Sequence, residues 1–241
     1  MIRLPLLDAD RPERFPPAEH ALSDPNGLLA FGGDLSPARL LAAYANGIFP
    51  WFSAGEPILW WSPDPRCVFA TADLHPNRSL RRALRGSSWQ VTADRAFDAV
   101  IRACAAPRAD HAGTWITADM IDAYVALHRL GHAHSVEVWN GEELVGGIYG
   151  VGIGHLFCGE SMFSTCSGGS KVALMALAHW LRQWGFPLLD AQVTNPHLLG
   201  LGAVEIPRPQ FVTQARALAA QAFDAGAWRT LHPLPATALL D

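Results

Sequence analysis

The chain reads as an α+β protein with a small N-terminal lobe (1–64) and a larger C-terminal unit (65–241), a mostly antiparallel sheet flanked by helices. Three observations predict it. Residues 1 to 64 are dense in Pro, Gly and Trp and short of regular periodicity, whereas the spacing becomes regular from Pro65 onward. Three consecutive segments, HSVEVWN, ELVGGIYGV and GHLFCGESMF, alternate apolar and polar residues, with NGEE and VGIG at the turns, as an antiparallel meander does. Helix-period segments lie before and after that meander, which separates strands from helices within one unit.

In the first lobe one helix stands out, SPARLLAAYANG, with Ser36 as N-cap, Pro37 at the first helical position and Gly47 past the end. GIFPWF and ILWWSPDPR follow, where apolar residues crowd beside Pro as in a lobe packed against something larger. Beyond Pro65, CVFA predicts a strand, HPNRSLRRALRG a helix and SWQVT another strand. Helices are expected at about 94–105 and 117–130, the second capped by Thr117. After the meander, SGGSKVALMALAHWLRQWG predicts an amphipathic helix of about five turns stopped by Gly185, and PLLDAQV a buried strand.

Composition narrows the function classes. With 241 residues, 50% of them apolar and nine Trp, the chain can bury a sizeable core and is neither disordered nor fibrous. The longest apolar stretch, VALMALA, falls far short of the ~20 residues that cross a bilayer. MIRLPLLDADRPERF lacks a signal-peptide core, so a cytoplasmic protein is expected. Cys67, Cys104, Cys158 and Cys166 form no CxxC pair and suit a reducing compartment. The net charge of −4 hides an asymmetry: from Arg66 to Arg108 eight Arg face three acids, a local +5 that leaves −9 elsewhere. Such a split points to a local polyanion contact.

Common catalytic signatures fail. GVGIG lies between strands and reads as a hairpin turn, GGSK lacks P-loop spacing, and Ser161 has no GxSxG elbow. His132 and His134 have no third ligand nearby, so no metal is implied. Three other signals carry more. Arg78, Arg82 and Arg85 share one helix face, either a solvated basic face or three guanidinium forks that track phosphates. Trp51, Trp60, Trp61 and Trp115 sit near turns, where they either close the seam between lobes or stack on a base. Glu160 interrupts an apolar strand, while Asp190 and Gln192 share one face of another by period-two spacing. Polar groups on core strands need mutual pairing, as a structural network, or a ligand.

Taken in order, the segments FPP, PNGLLAFGGDLSPARLLAAYANGIFPWF, PILWWSPDPR, GTWIT, LHRLGHAHSVEVW, ELVGGIYGV, LFCGESMFS, SKVAL and LDAQVTNPHLLGLGAVEIPR resemble the bacterial leucyl/phenylalanyl-tRNA–protein transferases over about residues 15–210. The resemblance implies transfer of Leu or Phe, and Met more weakly, from aminoacyl-tRNA to an N-terminal Arg or Lys, marking the product for degradation. It also implies an acetyltransferase-like (GNAT-like) fold for the larger unit. By position, Trp51, Trp115 and Tyr124 match residues around the terminal adenosine. Phe157, Glu160, Met162 and Leu189 match the pocket for the transferred side chain, as do Ile148, Leu177 and Leu181, which replace the Met or Phe of relatives. Asp190 and Gln192 match the pair implicated in catalysis, with Glu160 beside them, and Arg78, Arg82 and Arg85 match a tRNA-binding cluster. TCSGGSK also lacks the acid expected before it. These departures bear on the preference between Leu and Phe.

The chemistry so implied is aminolysis of an activated ester, which needs neither ATP nor a cofactor. An α-amino group, with a pKa of ~7.7–8.0, is partly neutral at cellular pH, so positioning can supply most of the rate. Gln192 is too weakly basic to act as a base, but its carbonyl can accept a hydrogen bond from the amine while Asp190 orients its amide. Asp190 or Glu160 could also attract a cationic acceptor. Two alternatives stand beside this reading: an acyl-CoA-dependent N-acetyltransferase using TCSGGS as its pyrophosphate loop, and a non-enzymatic RNA-binding module.

Overall fold

Short strands explain why the first lobe shows so little period. A computed structural model describes residues 4–106 and 114–240; Arg108 of the basic stretch and Gly113 of GTWIT lie outside them. The lobe contains β1 (Leu6–Leu7), β2 (Leu28–Gly32), α1 (Pro37–Ala45), β3 (Phe49–Pro50) and β4 (Leu59–Trp61). Its strands form a sheet in the order β1-β2-β4-β3, with β1 parallel to β2 and the other pairs antiparallel. Strands of two to five residues are too brief for alternation to register. Helix α1 starts as expected, the Ser36 hydroxyl accepting from the Arg39 amide at 3.4 Å. Trp60 is fully buried and its indole N–H donates to the Gly32 carbonyl at 2.9 Å.

The larger unit runs β5 (Arg66–Ala70), α2 (Arg78–Leu84), β6 (Gln90–Ala93), α3 (Phe97–Ala105), α4 (Ala118–Arg129), β7 (Ala133–Asn140), β8 (Glu143–Ile153) and β9 (Leu156–Ser164). It continues with α5 (Gly169–Gln183), β10 (Leu188–Gln192), α6 (Pro196–Gly200), β11 (Val204–Ile206), α7 (Arg208–Ala219), α8 (Gly226–Arg229) and β12 (Leu234–Pro235). The eight strands lie in the order β11-β5-β10-β9-β8-β7-β6-β12. Every neighbouring pair is antiparallel except β9 with β10. The expected meander is present as β7, β8 and β9. One turn moves: β8 continues through GVGI, and the chain reverses at Gly154, whose φ is +56°.

Helices cover both faces. Over one face, α1, α3, α4 and α7 bring Tyr44, Val100, Met120 and Phe211 onto Tyr149 and Val151 of β8. This core also takes in Leu29, Leu40 and Trp60, so the two lobes share one continuous interior. Over the other face, α5 brings Val172, Leu177 and Leu181 onto Val136, Ile148 and Phe157. Ten of the 15 residues of α5 are buried, so this helix is central rather than amphipathic and is about four turns long. Its GG start has a packing cause. A Cβ on Gly146 of β8 would stand 2.4 Å from the Gly169 carbonyl carbon, so only glycine allows the first turn of α5 to lie on the sheet. Among the described residues no helix is long and apolar enough to cross a membrane.

Candidate active site

The one parallel ladder of the large sheet is very short. Only Leu189 with Phe157 and Asp190 with Cys158 pair between β10 and β9. Past these pairs both strands lose register with their outer neighbours. On β9, Gly159 pairs with Gly150 and Ser161 with Tyr149, leaving Glu160 as the extra residue of a bulge. On β10, Asp190 pairs with Val68 and Gln192 with Cys67, leaving Ala191 extra, and Gln192 takes a left-handed φ of +63°. A cavity of about 1200 Å³ lies there, lined by Glu160, Asp190 and Gln192 among others.

The bulges turn the three polar groups to separate tasks. Glu160 is enclosed by Tyr44 of α1, whose hydroxyl lies 2.8 Å from Oε1, and Tyr124 of α4, whose hydroxyl lies 2.8 Å from Oε2. The two tyrosine hydroxyls also touch each other in a very short contact. Gln192 Nε2 donates to Glu160 Oε1 at 2.7 Å. Burial lifts the Glu160 carboxyl to about 7, opposed by the hydrogen bonds from Tyr44, Tyr124 and Gln192. Burial, with the Glu160 charge nearby, also drives Tyr44, Tyr124 and Tyr149 well above the usual phenol range.

Asp190 faces elsewhere. Arg66 Nε and Nη2 donate to its two oxygens at 2.8 and 2.6 Å, and both side chains are almost wholly buried. Arg66 Nη1 donates to the Gly47 carbonyl at 3.0 Å, and its guanidinium lies over Phe49 at 4.9 Å and Phe211 at 4.4 Å. Asp190 Oδ1 also accepts from the backbone N–H of Gln192 at 2.9 Å. Two expectations are thereby corrected. The Gln192 amide is oriented by Glu160 rather than by Asp190, and Asp190 has no exposed carboxylate to offer a cationic acceptor.

Of the residues expected to contact substrate, Trp51, Trp115, Ile148, Met162 and Leu189 line the cavity. Trp51 is 44% exposed and leans on Trp61 at 5.6 Å between ring centres, with the Trp61 indole donating to its carbonyl. Four of the expected residues are not on the wall. Tyr124 is fully buried behind Glu160, while Phe157, Leu177 and Leu181 lie in the core under α5, with the Phe157 ring tilted against Trp228. The reason is geometric: α5 turns Leu174, one turn before Leu177, to the cavity instead. Leu174, Tyr44 and Arg66 were missed. For two of these a signal existed, since a tyrosine on the buried stripe of α1 and an arginine opening the strand RCVFA each require a buried polar partner.

Arg78 and Arg82 are exposed on α2 and Arg85 is exposed at its C-cap, and the helix anchors itself through Leu80 and Leu84. Arg81, on the same short helix, is instead tied to the Leu240 carbonyl at 2.8 Å. Helix α2 lies against the start of α5, where a Cβ on Gly168 would meet Leu80 at 3.7 Å, and Ser164, Thr165 and Ser170 there belong to the cavity wall. His134 packs in the core, its Nδ1 2.7 Å from Asp94 Oδ2 and its ring stacked 4.2 Å from Trp228. Among the described residues no group of three or more His, Cys, Asp or Glu could hold a metal ion.

Comparison with known proteins bears on these features. A family model described as leucyl/phenylalanyl-tRNA protein transferase matches residues 68–216, and one for the N-terminal domain of that transferase matches residues 33–64. A leucyl/phenylalanyl-tRNA–protein transferase of Xanthomonas axonopodis pv. citri (strain 306) is 64% identical over 224 residues, 92% of this chain and 90% of the relative. Its counterpart in Xylella fastidiosa (strain M23) is 60% identical over 218 residues, covering 90% of each. Among solved structures, that of L-PGS from Bacillus licheniformis aligns with a TM-score of 0.40 at 11% identity, over 70% of this chain and 54% of that one, too loosely to support an argument. The chain belongs to the leucyl/phenylalanyl-tRNA–protein transferase family.

Proposed function

We propose that this protein transfers Leu or Phe, and Met more weakly, from aminoacyl-tRNA to the N-terminal Arg or Lys of acceptor proteins. The amine nitrogen attacks the ester carbonyl carbon, the bond from that carbon to the tRNA ribose oxygen breaks, and the nitrogen's proton leaves as the ribose hydroxyl is restored. The observation that carries this reading is a cavity that joins two tryptophans, Trp51 and Trp115, an apolar wall of Ile148, Met162, Leu174 and Leu189, and the Gln192 amide. The tryptophans suit the terminal adenine, since base stacking is worth ~1–3 kcal/mol. The apolar wall suits the donated side chain. Gln192, its nitrogen held by Glu160, offers its carbonyl to the attacking amine, while Asp190 and Arg66 fix the strand behind it. The exposed Arg78, Arg82 and Arg85 run beside the α5 end of the cavity, where tRNA phosphates would pass.

The division at residues 64/65 and a GNAT-like larger unit belong to the same proposal. Their support is that the first sheet ends at Trp61, the second starts at Arg66, and the cavity lies where the parallel pair β9–β10 stops. A cytoplasmic location follows from the same reading, because charged tRNA is used there. The family match gives no support to the CoA-dependent or the purely RNA-binding alternative.

The test is direct. The protein is incubated with an Arg-started peptide and either labelled leucyl-tRNA or labelled acetyl-CoA. Label should pass from leucyl-tRNA to the peptide's amine and not from acetyl-CoA. No transfer from any of the leucyl, phenylalanyl or methionyl-tRNAs would end the proposal.

A further inference from the structure

The hydroxyls of Tyr44 and Tyr124 touch each other, and each also touches one oxygen of Glu160, at 2.8 Å in both cases. Three oxygen–oxygen contacts closed into a ring need three hydrogens, one in each contact. The two phenols own two. With Glu160 ionised, both phenol protons point to the carboxylate, and the Tyr44–Tyr124 contact is left with two lone pairs facing each other. We propose that Glu160 carries the third proton, so that Glu160, Tyr124 and Tyr44 form a closed ring of three hydrogen bonds that positions the Gln192 amide.

Gln192 selects the direction of the ring. Its Nε2 donates to Glu160 Oε1 at 2.7 Å, and an amide N–H prefers the carbonyl oxygen of a carboxylic acid to its hydroxyl oxygen. The proton therefore resides on Oε2. The acid donates from Oε2 to Tyr124, Tyr124 donates to Tyr44, and Tyr44 donates to Oε1, whose second lone pair takes the Gln192 amide. No donor in the ring is left over, which matters because both phenols are fully buried and Glu160 is partly so, where an unmade hydrogen bond strands a desolvated polar group.

The surroundings favour the neutral acid. From α1 and α4 the two phenols face Glu160, and from β8 the buried Tyr149 faces it, its hydroxyl without a partner among the described residues. From β10 comes the Asp190 carboxylate, and within β9 the Cys158 thiol lies in its field. The nearby cation, Arg66, is already bidentate on Asp190. A second carboxylate charge here would meet an anion and, among the described residues, no free cation, and burial adds to that penalty.

The inference deepens the proposed function by naming Tyr44 and Tyr124 as positioning residues for Gln192, but its test reads protonation, not transfer. The two can fail separately. Infrared difference spectra of the full chain between pH 6 and pH 8.5, with Glu160→Gln as reference, should contain one protonated carboxylic-acid band that is present at pH 6, lost at pH 8.5 and absent from the variant. Tyr44→Phe and Tyr124→Phe should each shift that band or its midpoint, since each opens the ring. A Glu160 that is already a carboxylate at pH 6 would overturn the proposal, as would a band indifferent to both tyrosine variants. If Glu160→Gln does not fold, carbon-13 NMR of the wild-type chain labelled at the glutamate carboxyl carbons reads the same proton. The resonance displaced by Tyr44→Phe must then titrate near neutrality, and titration of that resonance near pH 4 counts against the ring.

Discussion

Arg66 grips Asp190 through two nitrogens at 2.8 and 2.6 Å, and the guanidinium then reaches across the seam to the Gly47 carbonyl. One ion pair thus ties β5, β10 and the first lobe together directly beneath the cavity. Asp190→Asn keeps the shape but leaves the guanidinium buried without its counter-charge. Breaking such a pair costs about 3–5 kcal/mol, so Asp190→Asn should lower the melting temperature and the transfer rate together. Replacing both partners, Arg66→Met with Asp190→Leu, should recover much of the stability, because no charge is then stranded, while transfer stays impaired. Thermal melts and transfer assays on the same preparations separate the two effects. Equal destabilisation by the single and the double change would remove the ion pair from this account.

Gln192 poses the opposite case, a side chain whose loss should spare stability. Its backbone already occupies the left-handed region at φ +63°, which favours glycine. Gln192→Gly therefore relaxes the backbone while deleting the amide, and is the cleaner test than Gln192→Ala, which keeps the strained φ. We expect Gln192→Gly to fold with a melting temperature near wild type, to bind charged tRNA with unchanged affinity, and to lose at least tenfold in kcat. An interaction used only in the transition state moves kcat and kcat/KM equally. Wild-type turnover in this variant would end the assignment of Gln192 to the chemistry.

Specificity for the donated side chain should follow the cavity wall rather than the core beneath it. Leu174 faces the cavity, whereas Leu177, one turn further along α5, is fully buried and does not. Leu174→Phe should narrow the pocket and shift transfer from Phe toward Leu. The shift should be graded, since apolar pockets discriminate by only ~1–3 kcal/mol per methylene. Leu177→Phe instead overpacks the interior, at about 1–3 kcal/mol, and should lower the melting point with the Leu:Phe ratio unchanged. Competition assays with mixed leucyl- and phenylalanyl-tRNA read both. A ratio that moves with Leu177 and not with Leu174 would reverse this reading of α5.

The exposed arginines of α2 should act through charge alone. Arg78→Ala, Arg82→Ala and Arg85→Ala together remove no packing, so stability should hold while tRNA affinity falls. Neutralising a phosphate releases counterions, so the slope of log K against log salt should flatten by about 0.7–0.9 for every phosphate that no longer meets an arginine. The weakening should be alike for every charged tRNA. Arg81→Ala is a useful contrast, because that side chain holds the Leu240 carbonyl and its removal should loosen the C-terminal segment. An unchanged slope in the triple variant would sink the phosphate track.

How much of this was legible in the sequence differs by element. The caps of α1 and α4, the meander and the stop of α5 at Gly185 follow from local chemistry that Ser36, Thr117 and Gly185 carry with them. The sheet of the first lobe was hidden because its strands are shorter than one alternation can reveal. The site was half visible: Glu160, Asp190 and Gln192 stood out as polar residues on apolar strands. Their partners did not, because Tyr44 and Arg66 lie 116 and 124 residues away from the acids they hold. The two bulges were hidden as well. Period-two spacing puts Asp190 and Gln192 in one environment, whereas the extra residue at Ala191 gives them separate partners.

Glu160 makes stability itself depend on pH, with a sign that can be worked out. In the folded chain its carboxyl is lifted to about 7, while an unfolded glutamate titrates near 4.3. Between those values the folded state keeps a proton that the unfolded state has released. Folding stability from this group is therefore greatest below about pH 4, declines as pH rises toward 7, and levels off above it. At about 1.4 kcal/mol per pKa unit the full swing is on the order of 4 kcal/mol. Glu137 is also buried and raised, so the wild-type curve alone does not isolate the effect. The difference between wild type and Glu160→Gln does, since Glu137 is common to both. Urea unfolding at pH 5, 6, 7 and 8 should show wild type losing ground to Glu160→Gln up to about pH 7, with no further change beyond. A difference that is flat from pH 5 to pH 8 means that Glu160 is ionised across the range, and the neutral-acid ring falls with it.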